Sequence, residues 1–314
     1  MEIIREVNNY QSSDKPLHLA LGNFDGVHLG HRRLITEMVN RARINNGLAA
    51  AFIFEPHPSK IINPDQSPKL LINLGRKSEF LGRLGLDILI YNSFTPEISR
   101  WTPEEFVERI LIKRLKVKEV FIGFNYSFGH KGLGDPPLMV KYGLKYNFQV
   151  HIIPPVLFEG EIVSSSAIRR LLEAGNITGA RDMLTYSPII EGKVIEGEHR
   201  GLRLGFPTAN LEYDQDLSIP GRGVYAAFAW VRGNKHRAVV NIGQKPTFHK
   251  VYPTSVEVHL LDFAQDIYGE TVKLEFLEKI RDEQRFASVE ELVKQIKLDC
   301  EKAAFITSLA GIEP

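Results

Sequence analysis

Cysteine is nearly missing: Cys300 is the one such residue among 314. No disulfide can form within a single chain, a cysteine-based zinc site is not expected, and a reducing cytoplasm is the expected setting. An excess of charge of one sign is missing too. Lys and Arg number 39 against 38 Asp and Glu, for a formal net charge of +1. No long-range field would draw the chain to nucleic acid or to anionic lipid, so neither is expected as a partner. No apolar run approaches the roughly 20 residues of a membrane span. The opening MEIIREVNNYQSSDKPL has early acidic residues and no apolar centre, unlike a signal peptide. Internal repeats and low-complexity linkers are also absent. What remains is an ordinary globular composition, 43% hydrophobic and 25% charged, in a chain long enough for about two domains.

The first half alternates apolar runs with helical patterns. LHLALGNF (17–24) reads as a buried strand, and HRRLITEMVNRARINN places Leu34, Ile35, Met38, Val39 and Ala42 at helical spacing. LAAAFIFEP is a second strand, stopped by Pro56. RKSEFLGRLGLDILIYN reads as helix then strand. TPEEFVERILIKRL starts a helix with Thr102 as N-cap, Pro103 in the first turn and Glu105 three residues on. EVFIGF and FQVHIIPPV complete a parallel sheet flanked by helices, whose ligands are expected beyond the carboxyl ends of the strands. LGNFDGVHLGH, FEPHP and GFNYSFGHKGLGD all fall at such ends. VSSSAIRRLLEAGNITGARDML is helical, broken by Gly175 and Gly179. After Pro188 the pattern turns to antiparallel strands, with RGNK as a hairpin turn, and a final helix starts at a Ser288–Glu291 capping box. An α/β domain over 1–184 followed by a β domain with a terminal helix over 185–314 is expected.

His28 and His31 lie three apart around Gly30, where a strand gives way to a helix. A metal would need a third ligand, and no compact cluster at metal spacing is present. Phosphate suits the place, because a helix N-terminus offers unpaired N–H groups and imidazoles add donors. From these residues alone, phosphate binding and a structural role both stay open.

The stretch GNFDGVHLGH resembles the H-x-G-H signature of the nucleotidyltransferase superfamily. Within it, the closest likeness is to the adenylyltransferase module of the bacterial bifunctional riboflavin kinase/FMN adenylyltransferase (FAD synthetase) family. FEPHP (54–58), GFNYSFGHKGLGD (123–135) and SSSAIRRLL (164–172) follow in the family's order, with Ser166 where the superfamily pattern has threonine. The resemblance implies a Rossmann-like nucleotidyltransferase domain in which His28 and His31 contact ATP phosphates while FMN takes the adenylate. Gly22, Asn23, Phe24, Gly30, Ser164, Ser165 and Ser166 would then bind phosphate, Arg169 would hold the leaving pyrophosphate, and Asn125 the flavin. Taken singly, the serines read as helix caps, Arg169 as a solvated residue, Asn125 as a turn residue, and His57 as turn or phosphate contact. Glycines 129, 132 and 134 suggest a flexible flap.

GEHRGLRLGFPTANL (197–211) packs glycines and arginines beside a short polar motif. Gly201 and Gly205 allow close approach to phosphate, and no P-loop consensus is present. Thr208 and Asn210, two apart on an extended segment, present two oxygens to one face, which suits Mg²⁺ beside nucleotide phosphates. As an isolated tetrapeptide, PTAN also reads as a turn. GLRLGFPTANL, GVYAAFAWV, VVNIGQKPTF and SVEVHLLDF resemble the riboflavin kinase module, a six-stranded antiparallel β-barrel with a C-terminal helix. In SVEVHLLDF alternation sets Val256, Val258 and Leu260 apart from Glu257 and His259. The resemblance makes Glu257 a general base in the barrel mouth, acting on the 5′-hydroxyl of riboflavin. Arg281 and Phe286 would contact flavin or anchor the helix, and Asn241 would touch nucleotide. Riboflavin, FMN, FAD and ATP are the implied partners; assembly into a homo-oligomer stays open. The nearest alternative is another nucleotidyltransferase fused to a β domain that only binds flavin.

Overall fold

The computed structural model describes residues 1–197, 201, 204–244 and 254–311. They form two compact units, Met1–Ser165 and Ser166–Pro314.

The first unit is a six-stranded parallel sheet in the order β1-β4-β3-β2-β5-β6. Its strands are β1 (Glu2–Arg5), β2 (Leu17–Leu21), β3 (Leu48–Glu55), β4 (Ile88–Ser93), β5 (Val117–Gly123) and β6 (Gln149–Ile153). All five residues of β2 are buried, as expected of a central strand covered on both faces. Helices α1 (Leu29–Ile44), α2 (Pro58–Ile62), α3 (Leu74–Arg83), α4 (Pro103–Phe106) and α5 (Pro136–Tyr146) make the crossovers. Leu34, Ile35, Met38, Val39 and Ala42 are the buried stripe of α1, as their spacing predicts. Thr102 and Glu105 form the reciprocal capping box of α4, and the helix then widens to π geometry over Val107–Arg114. Strand β2 pairs with β3 on one side and with β5 on the other. The chain leaves β2 toward β3 and later returns to β5, so the loops after β2 and β5 flank a topological switch point.

A two-strand hairpin, β7 (Leu157–Phe158) and β8 (Glu161–Ile162), leads to α6 (Ser165–Glu173) and α7 (Ile177–Leu184). Gly175 separates these helices with φ +76°. Gly179 does not break the second one, contrary to the sequence reading. It sits inside α7, where its N–H is taken by the Asn176 cap at 2.9 Å.

The second unit holds a closed barrel in the order β10-β13-β12-β11-β14-β9. Its strands are β9 (Ile189–Ile195), β10 (Ala209–Tyr213), β11 (Gly223–Val231), β12 (Asn234–Gln244), β13 (Thr254–Leu260) and β14 (Thr271–Arg281). Residues Arg232 and Gly233, both at positive φ, turn β11 into β12, as the type I′ hairpin requires. Helix α8 (Val289–Ala310) packs on β11, β12 and β14. Ser288 caps it by accepting the Glu291 N–H, while the Glu291 carboxylate turns to Ala287 N–H rather than to the cap residue.

Candidate active sites

The loop after β2 is built around its histidines. His28 is the N-cap of α1, and its Nδ1 accepts the His31 N–H at 3.4 Å. In the neutral ring the proton therefore resides on Nε2. The two rings stack with centroids 3.6 Å apart, and Phe24 meets His31 edge-on at 5.3 Å. Burial, then His28, then the Lys77 ammonium hold the His31 pKa well below the ordinary histidine value. His31 Nδ1 and the adjacent Arg32 Nε are buried with no hydrogen-bond partner.

Glycines give this loop its room. A methyl on Gly30 would come within 3.3 Å of the His28 ring, and one on Gly22 within 3.1 Å of Phe24. Phe24 itself is 1% exposed, so its ring packs His31 in place and only its backbone can meet a ligand. Asp25 ties the loop to its surroundings: its Oδ1 accepts Leu71 N–H, and its carbonyl accepts the Ser165 hydroxyl, both at 2.9 Å. Ser165 is thus joined to the loop that carries the histidines. Ser164 is half-buried beside it. Ser166 and Arg169 lie in the first turns of α6, within the second unit.

His57, next along the carboxyl edge of the sheet, caps α2 through Ser59 N–H. Its Nε2 lies 2.9 Å from the Asn23 side-chain amide. Asn125 is exposed after β5 and folds over Gly123. The segment 128–134, expected from its glycines to form a flap, is tied down here by backbone hydrogen bonds. Phe128 and Gly134 exchange backbone hydrogen bonds of 3.1 and 2.8 Å, and His130 N–H reaches Trp101 O at 2.7 Å. A Cβ on Gly129 would stand 2.6 Å from Pro103, and one on Gly134 2.6 Å from the Phe128 ring. These glycines admit close packing.

Lys77 escaped the sequence reading, which takes RKSEFLGRLGLDILIYN only as helix then strand. It is 3% exposed. The signal was its phase: Lys77 stands three and four residues before Phe80 and Leu81, the buried stripe of α3.

In the barrel, parity locates the second site. Val224 and Ala226 of β11 and Val239 of β12 pack with Ala303 of α8, so their side of the wall is the outer one. Across the strands, Asn210 is opposite Glu257, Glu257 opposite Asn241, Asn241 opposite Val224, and Val224 opposite Arg281. Directly paired residues share a face. The polar row Asn210–Glu257–Asn241 therefore lies on the outer wall, and Val256 and Val258, each 1% exposed, point inward. Glu257 is thus not inside the barrel mouth. The interior is filled by apolar side chains, and a carboxylate placed there would lose its hydration.

Thr208 and Asn210 meet the segment that precedes them. A Cβ on Gly201 would come within 3.0 Å of the Thr208 hydroxyl, and one on Gly197 would collide with the Asn210 amide. His259 Nδ1 lies 2.8 Å from Pro207 O and so orients the PTAN turn. Gly205 is exposed at φ +84°. Residues 198–200 and 202–203, and 245–248 of the QKPTF stretch, lie outside the described residues. Arg281 grips Asp299 of α8 with Nε at 3.0 Å and Nη2 at 2.8 Å, and its guanidinium lies 5.8 Å from the Phe286 ring. Asp299 is 2% exposed and also accepts from Gln295. Anchoring of the terminal helix is accordingly what Arg281 does here.

A parallel α/β sheet with an imidazole pair at its switch point, and a closed barrel with a Thr/Asn/Glu outer wall, define a two-module nucleotide-handling architecture. The family model described as FAD synthetase matches residues 10–167, and that described as riboflavin kinase matches residues 184–307. A bifunctional riboflavin kinase/FMN adenylyltransferase of Listeria monocytogenes is 37% identical over 282 residues, 90% of this chain and 89% of its own. Its Escherichia coli K12 counterpart is 36% identical over 301 residues, 95% of this chain and 96% of its own. The chain belongs to the bifunctional riboflavin kinase/FMN adenylyltransferase family. The crystal structure of a macrolide-efflux protein from Streptococcus pneumoniae is also similar, with TM-score 0.87 and 30% identity over 97% of this chain and 99% of its own. Among the described residues no helix is long and apolar enough to cross a membrane.

Proposed function

We propose that the chain makes both flavin cofactors: one module phosphorylates riboflavin with ATP to FMN, and the other adenylylates FMN with ATP to FAD and pyrophosphate. The modules we assign run over 185–314 and 1–184, respectively. What carries the reading is that two chemically different polar sites stand one in each of two compact units.

In the first module the FMN phosphate oxygen attacks the α-phosphorus of ATP, and pyrophosphate leaves. Catalysis there is positioning and electrostatics, with no covalent enzyme intermediate. The His28 Nε2–H and His31 donate to the phosphates. The backbone of Gly22, Asn23, Phe24 and Gly30 lets the chain of phosphates approach, Ser164, Ser165, Ser166 and Arg169 receive the pyrophosphate, and Asn125 holds the flavin.

In the second module Glu257 accepts the proton of the ribityl 5′-hydroxyl as its oxygen attacks the γ-phosphorus and ADP leaves. Gly201 and Gly205 give the phosphates access, and Phe286 borders the flavin beside Arg281, whose guanidinium holds the terminal helix through Asp299. Thr208 and Asn210 offer two neutral oxygens, a donor set that fits Mg²⁺. When bound, the ion would neutralise charge on the nucleotide phosphates. The unpaired Cys300, whose thiol burial pushes up to about 11, accords with a cytoplasmic setting.

The test is incubation of the pure chain with riboflavin, ATP and Mg²⁺, with products followed by chromatography. FMN is expected first, then FAD. Product formation with FMN as substrate and none with riboflavin would remove the kinase half of the reading.

A further inference from the structure

Two neighbouring strands end at the proposed phosphate site, and one hydrogen bond joins their loops. Asn23 follows β2 and His57 follows β3, strands paired in parallel. His57 Nε2 lies 2.9 Å from the Asn23 side-chain amide, and both residues are half-buried. On its other side the imidazole is braced. Nδ1 accepts the Ser59 N–H at 3.2 Å and stands 2.6 Å from the Ser59 hydroxyl, which is itself 2.8 Å from the Ser67 hydroxyl.

These contacts decide where the ring proton sits and how the amide is turned. A ring nitrogen that accepts a backbone N–H holds a lone pair there, so the neutral ring carries its proton on Nε2. The Asn23 amide then meets Nε2–H with its oxygen, an orientation reached by a half-turn that leaves the outline of the amide unchanged. The far end of the amide, which makes no hydrogen bond among the described residues, then carries the NH2 group. Two N–H donors suit phosphate oxygens, whereas an amide free to turn would also present its own oxygen, which repels them.

We propose that His57 is a positioning residue of the adenylyl-transfer site: braced by Ser59, it holds the Asn23 oxygen and so turns the Asn23 NH2 toward the ATP phosphates. The inference rests on the reading of the loop after β2 as the phosphate cradle. It gives His57 no contact of its own with ATP, so the whole of its effect on the nucleotide passes through Asn23.

The test uses full-length H57N, H57Q, N23A, the double variant H57N/N23A and H28A, with KM for ATP and for FMN measured in FAD synthesis. H57N keeps an oxygen at the place of Nδ1, and so the cap of α2, but is too short to reach Asn23. H57Q puts an N–H at the place of Nε2 and gives up the cap. Thermal unfolding and the riboflavin kinase rate of each preparation report folding. In H57N, KM for ATP should rise about three- to tenfold, the contribution of one neutral hydrogen bond, while KM for FMN stays within about twofold. N23A should raise KM for ATP at least as far, and the double variant no further than N23A. H57Q should stay near the wild-type KM although it unfolds at a lower temperature than H57N. A role in folding alone would rank the two the other way. Losses that multiply in the double variant, or an H57Q weaker toward ATP than H57N, would overturn the proposal, as would an unchanged KM in N23A. H28A separates the two levels: if it leaves FAD synthesis intact, the cradle reading fails, and if H28A and N23A impair synthesis while H57N does not, only the His57 assignment fails.

Discussion

Glu257 and Asn210 stand directly opposite one another across β13 and β10, on the outer wall of the barrel. The pairing brings the proposed base beside a proposed metal ligand, with Asn241 on the far side of Glu257. E257Q preserves the shape and removes the base. FMN formation should fall by about 10²–10⁴-fold, while FAD formation from supplied FMN stays near the wild-type rate. Initial rates with each flavin as sole substrate check this. Equal loss in both reactions would contradict the two-site reading.

His28 should show the mirror image. H28A removes a donor aimed at developing phosphate charge, and losses of about 10²–10³-fold accompany such removals. FAD synthesis should drop while riboflavin phosphorylation continues. The same chromatographic assay reads both.

His31 gives the first unit a defined acid sensitivity. Its pKa is lowered in the fold, so below about pH 6.5 the unfolded chain binds a proton that the folded chain resists. Stability therefore falls as pH drops through that range and is fully present above it. Glu119 adds a second loss at lower pH. Burial works to raise its pKa, but hydrogen bonds from His151 and Arg41 outweigh burial and hold it low. Its contribution is present above the usual carboxylate range and disappears as pH falls through its own depressed value. Thermal unfolding of the first unit between pH 7.5 and 5 should show the histidine slope, and H31Q should reduce it, leaving the share of His18, whose pKa burial also lowers. An unchanged slope in H31Q would refute the assignment.

Asp299 receives Arg281 in a two-point grip while 2% exposed. D299A leaves the guanidinium without its counter-charge, at a cost of about 3 kcal/mol for breaking a buried pair. Urea unfolding should report a destabilised second unit, with α8 the first element to lose hydrogen-exchange protection. A change below about 0.5 kcal/mol would mean that the pair is no stronger than an exposed one.

Gly201 is a steric test of the PTAN segment. G201A thrusts a methyl at Phe206 O and the Thr208 hydroxyl. The Mg²⁺ concentration for half-maximal kinase rate should rise several-fold, with FAD synthesis unaffected. A Mg²⁺ titration of the two rates decides it.

Much of this was legible in the chain. Leu34, Ile35, Met38, Val39 and Ala42 announced the stripe of α1, Thr102 and Glu105 the capping box of α4, and Arg232–Gly233 a hairpin, because caps, turns and periodicity are settled within a few residues. The H-x-G-H and GFPTAN segments were equally local, so their residues could be nominated at once. Gly129 and Gly134 were not legible in that way. A glycine that permits motion and one that admits a neighbour at 2.6 Å are the same letter.

By itself, then, the sequence determined the order of helices and strands, the change from parallel to antiparallel pattern after Pro188, and which residue types could handle phosphate. Only the tertiary structure decided that Glu257 faces outward from a filled barrel, that Arg281 is spent on Asp299, and that Lys77 is enclosed. Each depends on strands and helices distant in the chain coming to lie side by side. Register and burial follow from that closure, and no window of local sequence contains them.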